Sequence, residues 1–338
     1  MSLLVDIEKR LGDFHLRVKL DAADAATALL GASGSGKSVT LQCIAGIMTP
    51  DRGRIELNGR TLYDSEKGVD LPPQKRRVGY LFQQYALFPN MTVEENILCG
   101  VREGTRGEKR EAVREALRRF RLEGLEKRRP ARLSGGQQQR AALARILCGK
   151  PQAILLDEPF SSQDAFLKWN LEQELTEFLA SFDGPILWVT HDGAECRRNC
   201  ARVCVLEDGR SGETRGVEAF FAAPATVCEA KIALCRSFLR VQMRGADAYL
   251  PAWDATLAAE KPCSVLGVPP EAVVLGEGEL RGTVVRVIPN GASSLVLLRP
   301  RGGAETAETL CAELPAGAVP DREVALRILP ERCWYLNE

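Results

Sequence analysis

The chain has 338 residues, of which 45% are hydrophobic and 27% charged, and its Lys+Arg and Asp+Glu totals are both 45. That length allows two domains with substantial cores, while the balanced charge excludes a net field that would favour nucleic acid or an anionic membrane. The apolar runs at 185–189 and 201–206 are too short to cross a bilayer, and no charged-then-apolar leader opens the sequence, so the chain is expected to stay in the cytosol.

Eleven cysteines are scattered singly, without the dense spacing of a small disulfide scaffold. Cys196, Cys200 and Cys204 form the one cluster. A soft-metal or redox site would need a second ligand pair nearby, and none stands there, so the three are read as core thiols.

Residues 1–30 alternate loosely, with Leu4, Ile7, Phe14, Leu16, Val18 and Leu20 among polar neighbours, which predicts short strands. Phe14 is the only aromatic there; it either stacks on an adenine ring or fills the core, the usual fate of a Phe in an alternating strand. An apolar run at 25–30 leads into Gly31-Ala32-Ser33-Gly34-Ser35-Gly36-Lys37-Ser38, and a helical segment follows at 39–48. This fits G-x-x-x-x-G-K-[ST]: a glycine-rich loop turns its backbone N–H groups inward and the following helix start adds partial positive charge, making an anion nest. In that pattern Lys37 reaches the β- and γ-phosphates and the Ser38 hydroxyl sits on Mg²⁺.

Beyond the loop, Pro50 to Gly53 reads as a turn, 54–57 as a short strand and Asn58-Gly59 as a hairpin signal. The run 77–82 reads as a buried strand delivering Gln83 and Gln84 at its end. Thr92 with Glu95 three residues on forms a capping box, and 108–127 reads as a long amphipathic helix carrying Val113, Ala116, Leu117 and Phe120 on one face. Its arginines are interleaved with Glu108, Glu111, Glu115 and Glu123, which marks a solvated face rather than a nucleic-acid patch.

Leu133-Ser134-Gly135-Gly136-Gln137 opens a further helix, placed at 138–148, and is a second helix start suited to a phosphate. The continuous apolar strand at 153–157 ends in Asp157 and Glu158. Asp157 is placed to hold the Mg²⁺ shell and Glu158 to polarise water against a γ-phosphate. A strand at 185–190 ends at His191, one of two histidines and able to hydrogen-bond that phosphate; His15 has no such company. After a helical link at 228–238 the text becomes short β-rich runs at 264–268, 272–275, 281–288, 294–298, 310–314 and 324–328, which predicts a small β-barrel. Pro289-Asn290-Gly291 reads as a hairpin turn whose backbone N–H groups could also contact an anion.

In order and spacing, the loop 31–38, Gln83, the 133–137 stretch, 156–158 and Thr190-His191-Asp192 resemble the ATP-binding cassette family over roughly residues 1–230. The resemblance implies an α/β phosphate-loop nucleotide-binding domain (1–230) with a helical subdomain at about 88–150. It implies a head-to-tail homodimer with two ATP and Mg²⁺ sandwiched between them, in which Ser134, Gly135, Gly136 and Gln137 serve the partner's ATP. By the same likeness Gln83 joins Glu158 and His191 as a catalytic residue and Ser38 and Asp157 as a metal ligand, coupling the pocket to an integral membrane permease that docks on 85–96. The chain would then sit on the cytoplasmic face of the cell membrane, with an extracytoplasmic solute-binding protein as an indirect partner and no nucleic acid.

The stretches 57–60, 66–68 and 74–80 look most like molybdate/tungstate importer ATPases; sulfate, ferric-iron and polyamine importers share much of the pattern. The part at 231–338 resembles the oligonucleotide-fold regulatory domain appended to such ATPases, which in molybdate systems can bind the oxyanion. Two departures stand out. Ser161-Ser162-Gln163-Asp164 has Gln163 where the family usually has an apolar residue, and the family's adenine-stacking aromatic has only Phe14 as a loose counterpart. A soluble cassette protein remodelling DNA or ribosomes is the reading from another class; the neutral charge, the single cassette and the lack of a long coiled coil or zinc-spaced cysteine pairs speak against it. A GTPase or small-molecule kinase leaves the 133–137 stretch unexplained.

Overall fold

The computed structural model describes residues 1–23, 25–160, 165–303, 307–318 and 320–337. Among them the chain forms two compact units, Met1–Val217 and Glu218–Glu338.

In the first unit, β1 (Leu3–Leu11) and β2 (Phe14–Ala22) pair antiparallel in full register, Leu3 opposite Ala22 and Leu11 opposite Phe14. Alternation buries Leu3, Val5 and Ile7 on one side of β1 and Leu16, Val18 and Leu20 on the matching side of β2. There follow β3 (Ala26–Leu30), α1 (Lys37–Ala45), β4 (Arg52–Leu57) and β5 (Arg60–Asp64). Asn58 and Gly59 join β4 to β5 with φ of 51° and 76°, the left-handed pair that a two-residue hairpin turn needs.

The unit continues through β6 (Val69–Asp70), α2 (Pro73–Arg76), β7 (Val78–Leu81), α3 (Val93–Gly100), α4 (Arg106–Arg119), α5 (Gly135–Cys148) and β8 (Ala153–Asp157). It ends with α6 (Ala165–Leu179), β9 (Ile186–Thr190), α7 (Gly193–Asn199), β10 (Arg202–Glu207), β11 (Arg210–Ser211) and β12 (Arg215–Gly216). Among the described residues one sheet gathers all twelve strands in the order β6-β5-β4-β1-β2-β11-β10-β3-β9-β8-β7, with β12 added against β10. Its half formed by β7, β8, β9, β3 and β10 is parallel throughout. Every residue of β8 and β9 is buried, as a parallel sheet covered on both faces requires. Leu29, Leu41, Ile44, Leu155, Leu187 and Val189 share one core with the β1–β2 hairpin, so α1 is packed directly on the strands that lead into the loop at 31–36.

Several helix limits differ from the sequence reading. The helix α1 starts at Lys37 and stops at Ala45 because Gly46, with φ of 80°, turns the chain out of it. The helix α4 ends at Arg119, not 127: Phe120 completes the buried stripe and Arg121 adopts φ of 53°, so the charged text that follows is a turn. The helix α5 begins at Gly135, inside the glycine pair, because the Ser134 cap fixes its first turn.

In the second unit, α8 (Val217–Ala222) and α9 (Val227–Ile232) precede β13 (Ser237–Arg240), β14 (Gln242–Arg244), β15 (Asp247–Leu250), β16 (Ala255–Ala258) and β17 (Val265–Val268). Then come β18 (Val273–Asn290), β19 (Ser293–Pro300), β20 (Leu310–Pro315), β21 (Glu323–Ile328) and β22 (Trp334–Leu336). The helical link is shorter than 228–238: after Ile232, Leu234 takes φ of 68° and Ser237 is already paired with Val268. The runs at 272–275 and 281–288 belong to one long strand, β18, whose Gly276 and Gly278 form a bulge against β21 rather than a break. The expected barrel is not closed among the described residues: the strands form three open sheets, β13-β17-β22, β14-β15-β16 and β20-β19-β18-β21. Leu239, Leu266, Val296, Leu298, Leu310 and Leu326 fill the core between them, and Ala230 of α9 joins a smaller cluster with Cys235, Val265 and Leu336. Among the described residues no helix of either unit is long and apolar enough to cross a membrane.

Candidate functional site

The predicted residues gather where parallel strands end. In the sheet β3, β9, β8 and β7 lie side by side, and the residues after their last positions are Gly31, His191, Glu158 and, one further on, Gln83. Side-by-side parallel strands present their carboxyl ends on one edge, where open α/β sheets bind ligands.

The loop at 31–36 is held from inside. Lys37 Nζ, at the start of α1, donates to the carbonyls of Gly31 and Ala32 at 2.8 Å each. Gly36 caps the helix with φ of 106°, and a Cβ there would fall 2.6 Å from Leu16 Cδ1 and 3.1 Å from Phe14 Cζ, so only glycine fits. Ser35 Oγ is buried and has no hydrogen-bond partner among the described residues, an orphaned polar atom in the loop itself. A cleft of about 440 Å³ opens over the loop, lined by Phe14, Ser33, Gly34, Gly36, Lys37, Ser38, Gln83 and Glu158. A larger cleft of about 680 Å³ lies on the outer face of β1, β2 and β4 and contains none of the predicted residues.

Two carboxylates face this loop with different surroundings. Asp157 accepts from Ser38 Oγ at 3.0 Å and from Tyr80 OH at 2.8 Å. Burial pushes its carboxyl above the ordinary value, although both hydroxyl bonds pull the other way. Tyr80 is pushed up as well, by burial first and then by the Asp157 charge, which keeps its phenol protonated and donating. Glu158 stands in the left-handed region at φ of 43°, its N–H bonded to Val189 O at 3.0 Å. A non-glycine residue in that conformation is held there by its surroundings at a cost of roughly 1–3 kcal/mol. The strained turn aims Glu158 Oε1 at Lys37 Nζ, 3.8 Å away, and Oε2 at His191 Nδ1, 3.4 Å away. Burial lowers the Lys37 pKa, with Glu158 and Asp157 opposing the shift.

The Phe14 ring packs on the β1–β2 core, as one of the two alternatives expected, and it also forms part of the cleft wall beside Gly36. Ser134, Gly135, Gly136 and Gln137 do not line that cleft within the same chain. Ser134 Oγ accepts from Gln137 N at 3.3 Å while Gln137 Oε1 accepts from Ser134 N at 3.0 Å, a capping box that leaves this helix start on the surface. The stretch Ser161, Ser162, Gln163 and Asp164 lies outside the described residues.

Sequence reasoning missed Tyr80, whose role depends on a contact 77 positions away. It also missed Lys168, which reaches Asp192 Oδ2 at 2.6 Å and Glu195 Oε2 at 3.0 Å just after His191. Asp192 caps α7 through Ala194 N and Glu195 N, and an Asp directly before a helical segment is the signal that would have found it. Cys196, Cys200 and Cys204 are all buried, as the core reading expected, and among the described residues no group of three His, Cys, Asp or Glu side chains is placed to hold a metal ion. The Asn290-Gly291 turn joins β18 to β19, with Asn290 opposite Ser293.

The ABC transporter family profile matches residues 15–161. The molybdate/tungstate import ATP-binding protein WtpC of Archaeoglobus fulgidus is 44% identical over 223 residues, covering 66% of this chain and 90% of the relative. The molybdenum import ATP-binding protein ModC of Rhodospirillum rubrum is 34% identical over 298 residues, covering 88% of this chain and 78% of the relative. Among solved structures, the dimeric post-hydrolysis state of the ATP-binding cassette MJ0796 bound to ADP and Pi superimposes with a TM-score of 0.53 at 29% identity, over 64% of this chain and 99% of that one.

Proposed function

The chain belongs to the ATP-binding subunits of ABC importers, and from that premise we propose that the solute it helps to import is molybdate or tungstate. It is an ATPase that works as a homodimer with a membrane permease, and its place is at the cytoplasmic face of that permease. The observation that supports the ATPase part of the reading is the convergence of Lys37, Ser38, Asp157, Glu158 and His191 around one glycine-rich loop at the carboxyl edge of a parallel sheet; the solute rests on the likeness to WtpC and ModC.

In this reading the loop 31–38 cradles the phosphates and Lys37 exchanges its two carbonyl contacts for the β- and γ-oxygens. Ser38 and Asp157, with Gln83 at the cleft wall, are hard oxygen donors of the kind Mg²⁺ takes. When bound, the ion offsets charge that builds on the phosphate oxygens. Glu158 polarises the attacking water, His191 holds Glu158 and the γ-phosphate in line, and Phe14 stacks on adenine. Ser134 to Gln137 sit on the surface because they serve the partner's nucleotide. Gln83 passes the state of the cleft to the permease docked on 85–96, and the second unit is the regulatory domain of oligonucleotide-fold type with the oxyanion as its ligand.

The test is ATP-dependent uptake in proteoliposomes holding this chain with the permease that co-purifies with it. Molybdate and tungstate uptake, lost with Glu158→Gln, is the expected result. Uptake of sulfate, ferric iron or polyamine in place of molybdate overturns the substrate, and co-purification with ribosomes or DNA instead of a membrane protein overturns the importer reading.

A further inference from the structure

The chain after Gln83 runs in an unusual backbone conformation. Tyr85 and Ala86 both have positive φ, 60° and 45°, and neither is glycine. Such residues stay there only where neighbouring groups hold them.

One helix holds these two residues and a second holds the stretch that follows them. From α5, Arg145 Nη1 donates to Ala86 O at 2.8 Å and Nη2 to Tyr85 O at 3.3 Å, while its guanidinium carbon lies 5.3 Å from the centre of the Phe88 ring. From α3, fully buried Asn96 accepts from Phe88 N at 2.8 Å and donates to the carbonyls of Phe88, Met91 and Thr92 at 3.2, 3.3 and 3.0 Å. The helices themselves meet at a point with no spare room: a Cβ on Gly100 would fall 1.9 Å from Arg145 O. Among the described residues no carboxylate pairs with Arg145, so its fork is spent on the loop backbone and the aromatic ring. Burial lowers its pKa, with the neighbouring Cys99 opposing the shift.

Arg145 stands in the last turn of the helix whose first turn is capped by Ser134, about 16 Å away along the helix axis. Phe88, at the other end of the clamp, is nearly half exposed. One rigid element therefore carries the partner-facing start at Ser134 and grips the loop that leads from Gln83 to the surface.

We propose that Arg145 is the positioning residue that locks the 84–88 loop to the Ser134 helix, so that nucleotide capture at one end of α5 is felt at the permease-facing surface at the other. The proposal rests on the importer reading above. A lysine replaces this residue only in part, because an ammonium keeps the charge but lacks the planar fork that spans Tyr85 O and Ala86 O while stacking on Phe88.

Amide hydrogen exchange on the full chain, with and without ATP, tests this for Arg145→Ala and Arg145→Lys. In wild type, ATP protects 33–38, 134–137 and 84–88 together. In Arg145→Ala, 84–88 exchanges at least tenfold faster and loses its response to ATP, while 33–38 still gains its ATP protection and α3 keeps its rate; Arg145→Lys falls in between. Wild-type exchange at 84–88 in Arg145→Ala overturns the proposal, and so does a uniform acceleration through α3 and α5, which makes Arg145 a packing residue only. If Arg145→Ala does not fold, Arg145→Lys takes its place: faster exchange confined to 84–88 supports the lock, and wild-type or uniformly faster exchange overturns it. A wild-type chain in which ATP leaves 33–38 unprotected defeats the nucleotide reading instead.

Discussion

His191 Nδ1 lies 3.4 Å from Glu158 Oε2, and the other oxygen of the same carboxylate lies 3.8 Å from Lys37 Nζ. One side chain thus faces both the lysine of the glycine-rich loop and the histidine that ends β9. In the reading proposed above, this carboxylate, on a backbone strained to φ of 43°, is the general base or the water anchor. Glu158→Gln keeps the shape and removes the base. ATP affinity should stay within about threefold while turnover falls by about 10²- to 10⁴-fold, the usual worth of a general base. Nucleotide titration beside steady-state hydrolysis checks it, and unimpaired hydrolysis in the variant removes Glu158 from its role.

Tyr80→Phe probes the neighbouring carboxylate. The phenol donates to Asp157 Oδ2 at 2.8 Å, and its loss leaves a buried charge with Ser38 Oγ as its remaining side-chain donor. The nucleotide-free chain should lose about 1–3 kcal/mol, the cost of an unsatisfied buried polar atom, read from denaturant midpoints. Mg²⁺ added with ATP should recover part of that loss by binding only the folded form. A midpoint equal to wild type would show that Tyr80 contributes no net stability there.

What the sequence made legible here is local. The glycine-rich turn that opens α1, the Asn58-Gly59 turn and the Thr92 cap each depend on residues within a few positions of one another; the last two are found as read, and the first differs only in the limits of its helix. The Asp157–Glu158 pair was legible because a short continuous apolar run reads as a buried strand, which sets the two carboxylates at its carboxyl end. Tyr80, Lys168 and Arg145 were not, since each acts on atoms from 24 to 77 positions away and the residue type alone does not say which ones. The second unit departs from its sequence reading for the same reason: Gly276 and Gly278 look like a break in sequence, and only pairing with β21 turns them into a bulge.

The cluster after His191 predicts a pH dependence. Burial works to raise the Asp192 pKa, but the Lys168 hydrogen bond and the helix N–H donors outweigh it and hold the carboxyl below its ordinary value. Glu195 is pushed up by burial in spite of Trp188 and Lys168. A lowered folded pKa gives stability that is present above the unfolded value, about 3.9 for Asp, and lost as pH falls through the folded one. A raised one gives stability present below the unfolded value, about 4.3 for Glu, and lost as pH rises through the folded one. Lys168→Met removes a cation that favours the charged form of both carboxyls, so its penalty should be about 1–3 kcal/mol near neutral pH and shrink as the pH falls, through the raised Glu195 value first and the lowered Asp192 value last. Urea midpoints at several pH values check this; a penalty independent of pH would contradict it.

Arg76 gives the largest expected effect on stability. It is fully buried in α2 and donates to Leu71 O at 2.6 Å, Cys43 O at 2.7 Å, Ile44 O at 2.9 Å and Asp70 Oδ1 at 2.8 Å. Two of those carbonyls belong to the last turn of α1, where Gly46 N also donates to Cys43 O at 3.2 Å. The guanidinium therefore closes the far end of the helix that begins at Lys37. Arg76→Ala takes the donors from the Leu71 and Ile44 carbonyls, weakens the end of α1 at Cys43 and releases the half-exposed Asp70, and should cost about 3–5 kcal/mol in all, at about 1–3 kcal/mol for each buried acceptor left unsatisfied. Because α1 carries Lys37 and Ser38, ATP affinity should fall together with stability, and saturating ATP should raise the denaturation midpoint by less than in wild type. Arg76→Lys keeps the charge but can reach fewer of the four acceptors, so it should fall between the two. Calorimetric ATP titration and denaturant unfolding of the three proteins decide the matter, and an Arg76→Ala chain with wild-type midpoint and affinity would show that the helix is closed by other means.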